Sequence, residues 1–245
     1  MSNKIKDPIW PEDEIELKEV IKGSHISEIY KTEFGIDVAD EIKVEDVLRF
    51  YNPKRKYQFY YPLLSGSSIF YQNLYEKMGY TLRKPEFEWA ASFVSGSDTV
   101  LDVGCGAGDF SNSIECKSYR GIELSEYAVS QAINNGIDVS CETMRSLISR
   151  GESYDVVSAF QVIEHVTDPK TFLHEALSLV RPGGSLIISW PSVNSYLSIM
   201  ENAPLNIPPH HLYNFSLQTV LHMLDKEKIK VQQNLKEKKE LKLNL

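Results

Sequence analysis

The sequence predicts an α/β fold in which helices lie on both faces of a doubly wound, mostly parallel sheet. The first observation behind this prediction is a short strand pattern at residues 100–103, followed by Gly104, Gly106 and Gly108 at every second position. The second is the alternation of strand and helix patterns along the rest of the chain, which is typical of parallel sheets. The third is a Pro-Gly-Gly break at residues 182–184, which separates a helical pattern from a strand pattern.

The alternating part of the chain divides into strands and helices of ordinary length. We expect strands at residues 99–103, 119–123, 138–141, 154–159 and 185–190. We expect helices at residues 110–114, 126–134, 144–148, 168–179 and 217–224. The fourth helix has a clear start signal, because Asp168 suits the capping position and Pro169 suits the first helical position.

The N-terminal part of the chain has a different composition. Residues 1–46 are acidic and weakly periodic, which indicates a solvated lead-in. Residues 50–89 are rich in aromatic side chains, and Phe70, Leu74 and Met78 fall at helical spacing. These patterns predict an aromatic-rich helical cap.

The same shift in composition predicts two domains. We expect an N-terminal extension and cap over residues 1–85 and a core domain over residues 86–245. The alternating leucines within residues 225–245 favour a short hairpin at the edge of the sheet, and a charged helix is the open alternative.

Composition and charge limit the class of protein. The chain has 245 residues and a net charge of −8, and this acidity argues against broad nucleic-acid binding. No apolar run approaches the ~20 residues of a membrane span, and residues 1–10 lack the apolar core of a signal peptide. The three cysteines match no zinc-knuckle spacing, so free thiols are expected. We therefore predict a cytoplasmic protein that binds neither nucleic acid nor a membrane, and the sequence does not predict its oligomeric state.

The glycine turn discriminates between cofactors. Gly104 and Gly106 begin a dinucleotide fingerprint, but Asp109 stands where its third glycine would be, and no phosphate-binding Lys-Ser or Lys-Thr follows. Asp102 would repel a pyrophosphate and suits an ammonium group. This stretch resembles motif I of the class I S-adenosylmethionine (SAM) methyltransferases, which have a Rossmann-like fold. The resemblance implies a loop whose backbone lies against the amino-acid end of SAM, formed by Gly104, Cys105, Gly106 and Gly108.

Further cofactor contacts are expected after the next strands. Glu123 ends the second predicted strand, where the two oxygens of a carboxylate can accept both hydroxyls of a ribose, and Leu124 follows it. A cluster that caps the next helix is the alternative for Glu123. The resemblance places the adenine beside Glu142 and Thr143, although a plain surface loop explains these two residues equally well. Gln161, after the fourth predicted strand, is expected to face the cofactor.

Two segments hold the candidate catalytic residues. Glu164 and His165 lie in a run that resembles the small-molecule branch of the family, with the ubiquinone-pathway O-methyltransferases as the nearest type. This pair is suited to orient or deprotonate a substrate, and packing over the loop is the alternative for His165. His210 and His211 lie in Pro-Pro-His-His-Leu, which resembles relatives from sugar or polyketide pathways. Either of them is the predicted general base, unless both only hydrogen-bond neighbouring loops.

No metal is expected, because Glu164 and His165 alone supply too few ligands. The long loop at residues 191–216 is expected to be functional, and it also carries Asn194 and Tyr196.

The sequence thus predicts an enzyme, a SAM-dependent methyltransferase that acts on a small-molecule acceptor. The expected mechanism is in-line displacement with histidine-assisted removal of a proton. The aromatic N-terminal segment would act as a lid over the acceptor. Two alternatives stay open: a non-catalytic SAM-binding module, and a protein or tRNA methyltransferase.

Overall fold

The chain packs into two compact units, and each unit draws on separate stretches of sequence. The computed structural model describes residues 5–78, 85–193, 204–224, 230–234 and 239–244. The first unit comprises Met1–Lys77, Glu164–Lys170 and Pro191–Leu224, and the second comprises Met78–Ile163, Thr171–Trp190 and Asp225–Leu245. Residues 164–170, 191–193 and 204–224, which the sequence predicts as part of the core domain, thus pack within the first unit.

An antiparallel sheet of four strands organises the first unit. Its strands, numbered along the chain and given in spatial order, are β1 (Glu16–Lys22), β2 (Asp46–Asn52), β3 (Tyr57–Tyr61) and β9 (Tyr213–Asn214). The helices of this unit are α1 (Gly23–Phe34), α2 (Ser68–Met78) and α7 (Leu217–Met223). Its core joins Ile26 and Tyr30 of α1, Val47 of β2, and Phe70 and Leu74 of α2.

The N-terminal part differs from the sequence expectation in two respects. The prediction of a solvated lead-in at residues 1–46 is wrong, because β1 and α1 form there and Ile26 and Tyr30 are fully buried. Their spacing of four residues places both on one helix face, a weak signal among many acidic neighbours. The aromatic segment is also not helical throughout: Tyr57 and Phe59 are buried at alternate positions of β3, and aromatic side chains favour strands.

A sheet of seven strands organises the second unit. Its strands are β4 (Thr99–Val103), β5 (Ser118–Ile122), β6 (Val139–Ser140), β7 (Tyr154–Phe160), β8 (Val180–Trp190), β10 (Lys230–Asn234) and β11 (Lys239–Asn244). The spatial order is β10-β11-β8-β7-β4-β5-β6. The pairs from β8 to β6 are parallel, whereas β11 runs antiparallel to both β8 and β10. The α/β class with a mostly parallel sheet is confirmed, and the antiparallel pair β10 and β11 lies at the sheet edge.

The helices of the alternating region follow the expected order. They are α3 (Pro85–Ala91), α4 (Glu126–Asn134), α5 (Met144–Ser149) and α6 (Pro169–Ser178). The helix expected at residues 110–114 is a single 3-10 segment, Asp109–Ser113. Among the described helices, none combines the length and the apolar character that a membrane crossing requires.

The strand order positions the predicted site. Strands β7, β4 and β5 are consecutive neighbours and run parallel, so their carboxyl ends lie side by side at one edge of the sheet. Apolar side chains surround these strands within the unit, and Leu101 of β4 and Val157 of β7 are fully buried. Ligands of open α/β sheets bind at such carboxyl edges, which is where the glycine turn begins.

Candidate functional site

The glycine loop leaves β4 in a conformation that favours glycine. Gly104, Gly106 and Gly108 have φ angles of 65°, 57° and 81°, all in the left-handed region. A Cβ on Gly104 would lie 2.6 Å from a methyl carbon of Val162, so a side chain would also lack space there. The backbone N–H of Gly104 donates to the carbonyl oxygen of Ile122 at 2.8 Å, which anchors the loop to β5. The loop therefore has the backbone conformation that its glycines were expected to provide, and its contact with a cofactor stays a prediction.

Asp102 lies at this edge as a buried carboxylate. The hydroxyl of Ser158 donates to its Oδ1 at 2.7 Å, and the hydroxyl of Tyr119 donates to its Oδ2 at 2.9 Å. Burial, together with the nearby charge of Asp102, holds the pKa of Tyr119 well above its usual value, so this hydroxyl stays protonated and remains a donor. The two donors fix the orientation of the carboxylate.

Glu123 links the glycine loop to the end of β5. Its Oε2 accepts the backbone N–H of Gly106 at 3.1 Å, and its Oε1 accepts those of Leu124 at 2.7 Å and Ser125 at 2.9 Å. Leu124 beside it is 67% exposed, which is unusual for a leucine. The side chain of Ser125 accepts the N–H of Ala128. Ser125, and not Glu123, is therefore the residue that caps α4.

Glu142 and Thr143 are engaged by local contacts. The guanidinium groups of Arg120 and Arg150 each contact one oxygen of Glu142 at 2.6 Å. The hydrogen bond from Arg150 is the largest of several that lower the pKa of Glu142. Thr143 caps α5 by accepting the N–H of Ser146. These contacts explain both residues without a ligand, so their contact with adenine stays a prediction.

Gln161 follows β7 with a φ of 58°, which is uncommon for a residue other than glycine. Its backbone N–H donates to the carbonyl of Ser189 and its side-chain Nε2 donates to the hydroxyl of Ser189, both at 3.0 Å. Such conformations cost of order 1–3 kcal/mol and concentrate at functional sites. The geometry is consistent with the predicted position beside a ligand.

Within the first unit, three histidines form a cluster that we name the histidine cluster: His165, His210 and His211. Their ring centroids are 4.5 to 4.9 Å apart, and the rings of His210 and His211 are stacked. The cluster is assembled by backbone pairing, because the N–H of Leu212 donates to the carbonyl of Glu164 at 2.9 Å. The predicted catalytic residues, although distant in sequence, therefore lie together.

Hydrogen bonds define the proton positions in two of these rings. Nδ1 of His165 lies 2.6 Å from the carbonyl oxygen of His210, and Nδ1 of His210 lies 2.9 Å from that of Leu205. Because a carbonyl oxygen only accepts, each Nδ1 carries the proton and each Nε2 carries the lone pair. Burial, with a contribution from His165, lowers the pKa of His210 to about 3. Burial also lowers the pKa of His211 well below its usual value.

Glu164 supplies a carboxylate to the histidine cluster. Its side chain is 1% exposed, and its Oε1 lies 3.8 Å from Nε2 of His165 and 3.9 Å from Nε2 of His211. The ring of Tyr71 packs edge-on against that of His165, with 5.8 Å between the ring centroids. This contact could not be predicted from the sequence, because no local pattern links the two segments. Asn194 and Tyr196 lie outside the described residues.

Comparison with known proteins gives a family match over part of the chain. Residues 101–188 match the family model described as a methyltransferase domain. A relative from Parvibaculum lavamentivorans, named ubiquinone biosynthesis O-methyltransferase, is 36% identical over 99 residues, which cover 36% of this chain and 38% of the relative. A relative of the same name from Hydrogenovibrio crunogenus is 36% identical over 124 residues, which cover 45% of this chain and 52% of the relative. The matched part thus spans about half or less of these relatives.

A solved structure supports the fold. It is a SAM-dependent methyltransferase from Thermotoga maritima, described as a possible histamine N-methyltransferase. Its TM-score is 0.53 at 19% identity, and the match covers 65% of this chain and 87% of that one. At this identity the likeness shows the fold alone, which is the α/β fold predicted from the sequence.

Proposed function

We propose that this protein transfers a methyl group from SAM to a small molecule, because residues 101–188 match the family model of a methyltransferase domain. The observation that carries the proposal is the grouping of Asp102, the glycine loop and Glu123 at the carboxyl ends of β4 and β5. The acceptor group that we propose is a hydroxyl, which is the class named for the two bacterial relatives.

The residues at this edge suit SAM by their chemistry. Asp102 offers a buried, oriented carboxylate to an ammonium group, and the glycine loop exposes backbone on which a ligand can lie closely. A carboxylate has roughly four acceptor positions, of which Glu123 uses three for backbone N–H groups, so one remains for a ribose hydroxyl. When bound, SAM supplies a methyl group that is already activated by its sulfonium.

We assign removal of the acceptor's proton to the histidine cluster, with His165 as the residue that receives it. The Nε2 of His165 carries the lone pair, and the carboxylate of Glu164 at 3.8 Å would stabilise the resulting imidazolium. His210 and His211 are weaker bases, because burial lowers their pKa values away from neutral pH. Their contribution is to orient His165, since the carbonyl of His210 accepts its Nδ1 proton.

The cofactor part of the proposal is tested by titrating the protein with SAM in a calorimeter. We expect saturable binding of SAM to the native protein. In Asp102→Asn, the free energy of SAM binding should weaken by roughly 1.5–3 kcal/mol, the scale of a hydrogen bond to a charged group. Asp138→Asn makes the same change in charge at an exposed position and should bind as the native protein does. Absence of SAM binding to the native protein would exclude the proposal.

The transfer step is tested with methyl-labelled SAM and a panel of hydroxylated small molecules. We expect label in at least one acceptor, with a slower rate in His165→Gln and an unchanged affinity for SAM. Binding of SAM without transfer to any member of a broad panel would favour the non-catalytic SAM-binding module. Equal rates in the native protein and His165→Gln would exclude His165 as the proton acceptor.

A further inference from the structure

We propose that the histidine cluster, formed by His165, His210 and His211, is a binding site for one divalent transition-metal ion such as Zn(II). One nitrogen from each of the three rings lies within 4.8 Å of the other two. Within the described part of the chain, this is the one group of three or more His, Cys, Asp or Glu side chains so arranged. From the sequence alone no metal is expected, because Glu164 and His165 by themselves supply too few ligands.

The distances permit coordination after a small adjustment of the side chains. Zinc binds imidazole nitrogen at about 2.0–2.1 Å, so tetrahedral ligand nitrogens lie about 3.4 Å apart. The nitrogens of the cluster must therefore approach one another by at most about 1.4 Å from their limit of 4.8 Å. Rotation about side-chain bonds supplies this movement most readily at His165, whose side chain is 18% exposed.

The hydrogen bonds around the cluster are those that metal-binding histidines use. A ligating histidine commonly donates its other ring N–H to a backbone carbonyl or carboxylate, which fixes the ring and directs the lone pair at the ion. His165 and His210 both donate from Nδ1 to backbone carbonyls, at 2.6 and 2.9 Å. Nε2 is therefore the nitrogen that carries the lone pair in both of these rings.

The third ring has a buried nitrogen that lacks a hydrogen-bond partner. Within the described residues, Nδ1 of His211 is such an atom, and burying a polar atom without a hydrogen-bond partner is energetically unfavourable. A neutral imidazole nitrogen is also what a metal ion requires.

Charge and ligand type narrow the choice of ion. Three imidazoles favour zinc, cobalt, nickel, copper or iron over magnesium and calcium, which prefer oxygen ligands. The Glu164 carboxylate, with Oε1 3.8 and 3.9 Å from two of the rings, offsets part of the charge of a divalent ion. A metal ion and a proton would compete for Nε2 of His165. His165 therefore acts as the proton acceptor in the metal-free protein and as a metal ligand in the metal-loaded protein.

The proposal is tested by titrating the chelator-treated full chain with Co(II) and recording its ligand-field absorption, without SAM or acceptor. We expect a spectrum of four- or five-coordinate Co(II) that saturates at one equivalent and disappears when Zn(II) is added. Because no methyl transfer is measured, the result is independent of the proposed function. A native protein with no saturable Co(II) spectrum and no calorimetric Zn(II) binding would overturn the proposal.

Matched variants separate the cluster from adventitious binding. His174→Ala removes an exposed histidine of α6 and should bind Co(II) as the native protein does. His211→Ala should weaken binding by more than roughly 10- to 100-fold, since loss of an outer-shell partner alone has that effect. Should His211→Ala fail to fold, as judged by circular dichroism, His165→Gln tests the less buried ligand. An unchanged spectrum and affinity in a folded His165→Gln or His211→Ala would overturn the assignment.

Discussion

At the residue scale, Glu123 connects two parts of the candidate cofactor site through one carboxylate. One oxygen accepts the N–H of Gly106 in the glycine loop, and the other accepts two N–H groups that follow β5. The same group is the proposed ligand of the ribose, so it both shapes the loop and would contact the bound molecule.

Replacement of Glu123 by alanine should therefore weaken SAM binding. We expect a loss of roughly 1–3 kcal/mol, the scale of hydrogen bonds to a charged group, as measured by calorimetric titration. Glu126→Ala removes an exposed carboxylate in the first turn of α4 and serves as the control. If both variants bind SAM equally well, Glu123 is not part of the ribose site.

At the element scale, helix α7 begins with a reciprocal cap. The Oγ of Ser216 accepts the N–H of Thr219 at 3.1 Å, and the Oγ1 of Thr219 accepts the N–H of Ser216 at 3.3 Å. The Oγ1 of Thr219 also donates to the carbonyl of Arg55 at 2.8 Å. This cap thereby connects α7 to the chain between β2 and β3 in the first unit.

Ser216→Ala should destabilise the protein, because it removes the acceptor for one helix N–H group at a buried position. The expected decrease in the free energy of unfolding is about 1 kcal/mol, within the range of about 0.5–2 kcal/mol for lost N-caps. Urea denaturation followed by circular dichroism measures it. Ser130→Ala, an exposed serine of α4, is the control, and an equal effect of the two variants would contradict the role of the cap.

At the scale of the whole molecule, stability in acid depends on how the N-terminal segment is held. Asp7 accepts hydrogen bonds from Tyr57 at 2.5 Å and Asn52 at 2.7 Å. Asp13 contacts Lys54 at 2.6 Å and Arg55 at 2.7 Å. Burial alone would raise the pKa of Asp13, but hydrogen bonds from Lys54, Arg55 and Asn52 outweigh it and lower the pKa to about 2.

The lowered pKa of Asp13 predicts a pH dependence of stability. A carboxylate whose pKa is lower in the folded state stabilises the protein above its unfolded pKa, and this stabilisation is lost as the pH falls from about 4 to about 2. Asp13→Asn should lower stability at pH 7 by roughly 1–2 kcal/mol, reduced from the full linkage value because Lys54 is largely exposed. Thermal unfolding measured across this pH range tests it. A constant difference between the two proteins from pH 7 to pH 2 would contradict the assignment.

Much of the second unit was predictable because its signals are local. Strand β4 and helix α4 have the expected bounds, since a strand before a glycine turn and a helix after a serine cap are encoded by neighbouring residues. Strand β8 begins at Val180 instead of residue 185, because Val180 pairs with Tyr154 across a register shift that no local pattern contains. Each of the three histidines could be singled out from the sequence, but the separation of 4.5 to 4.9 Å between their ring centroids could not be predicted from it.

By itself, the sequence determined the α/β class, the order of the elements from β4 to β8 and the glycine turn after β4, because strands, turns and helices arise from residues close together in the chain. Only the tertiary structure decided that residues 204–224 pack with the N-terminal segment. It also decided that His165 meets His210 across 45 positions of sequence. Contacts of this range depend on the packing of the whole unit, which residue spacing does not encode.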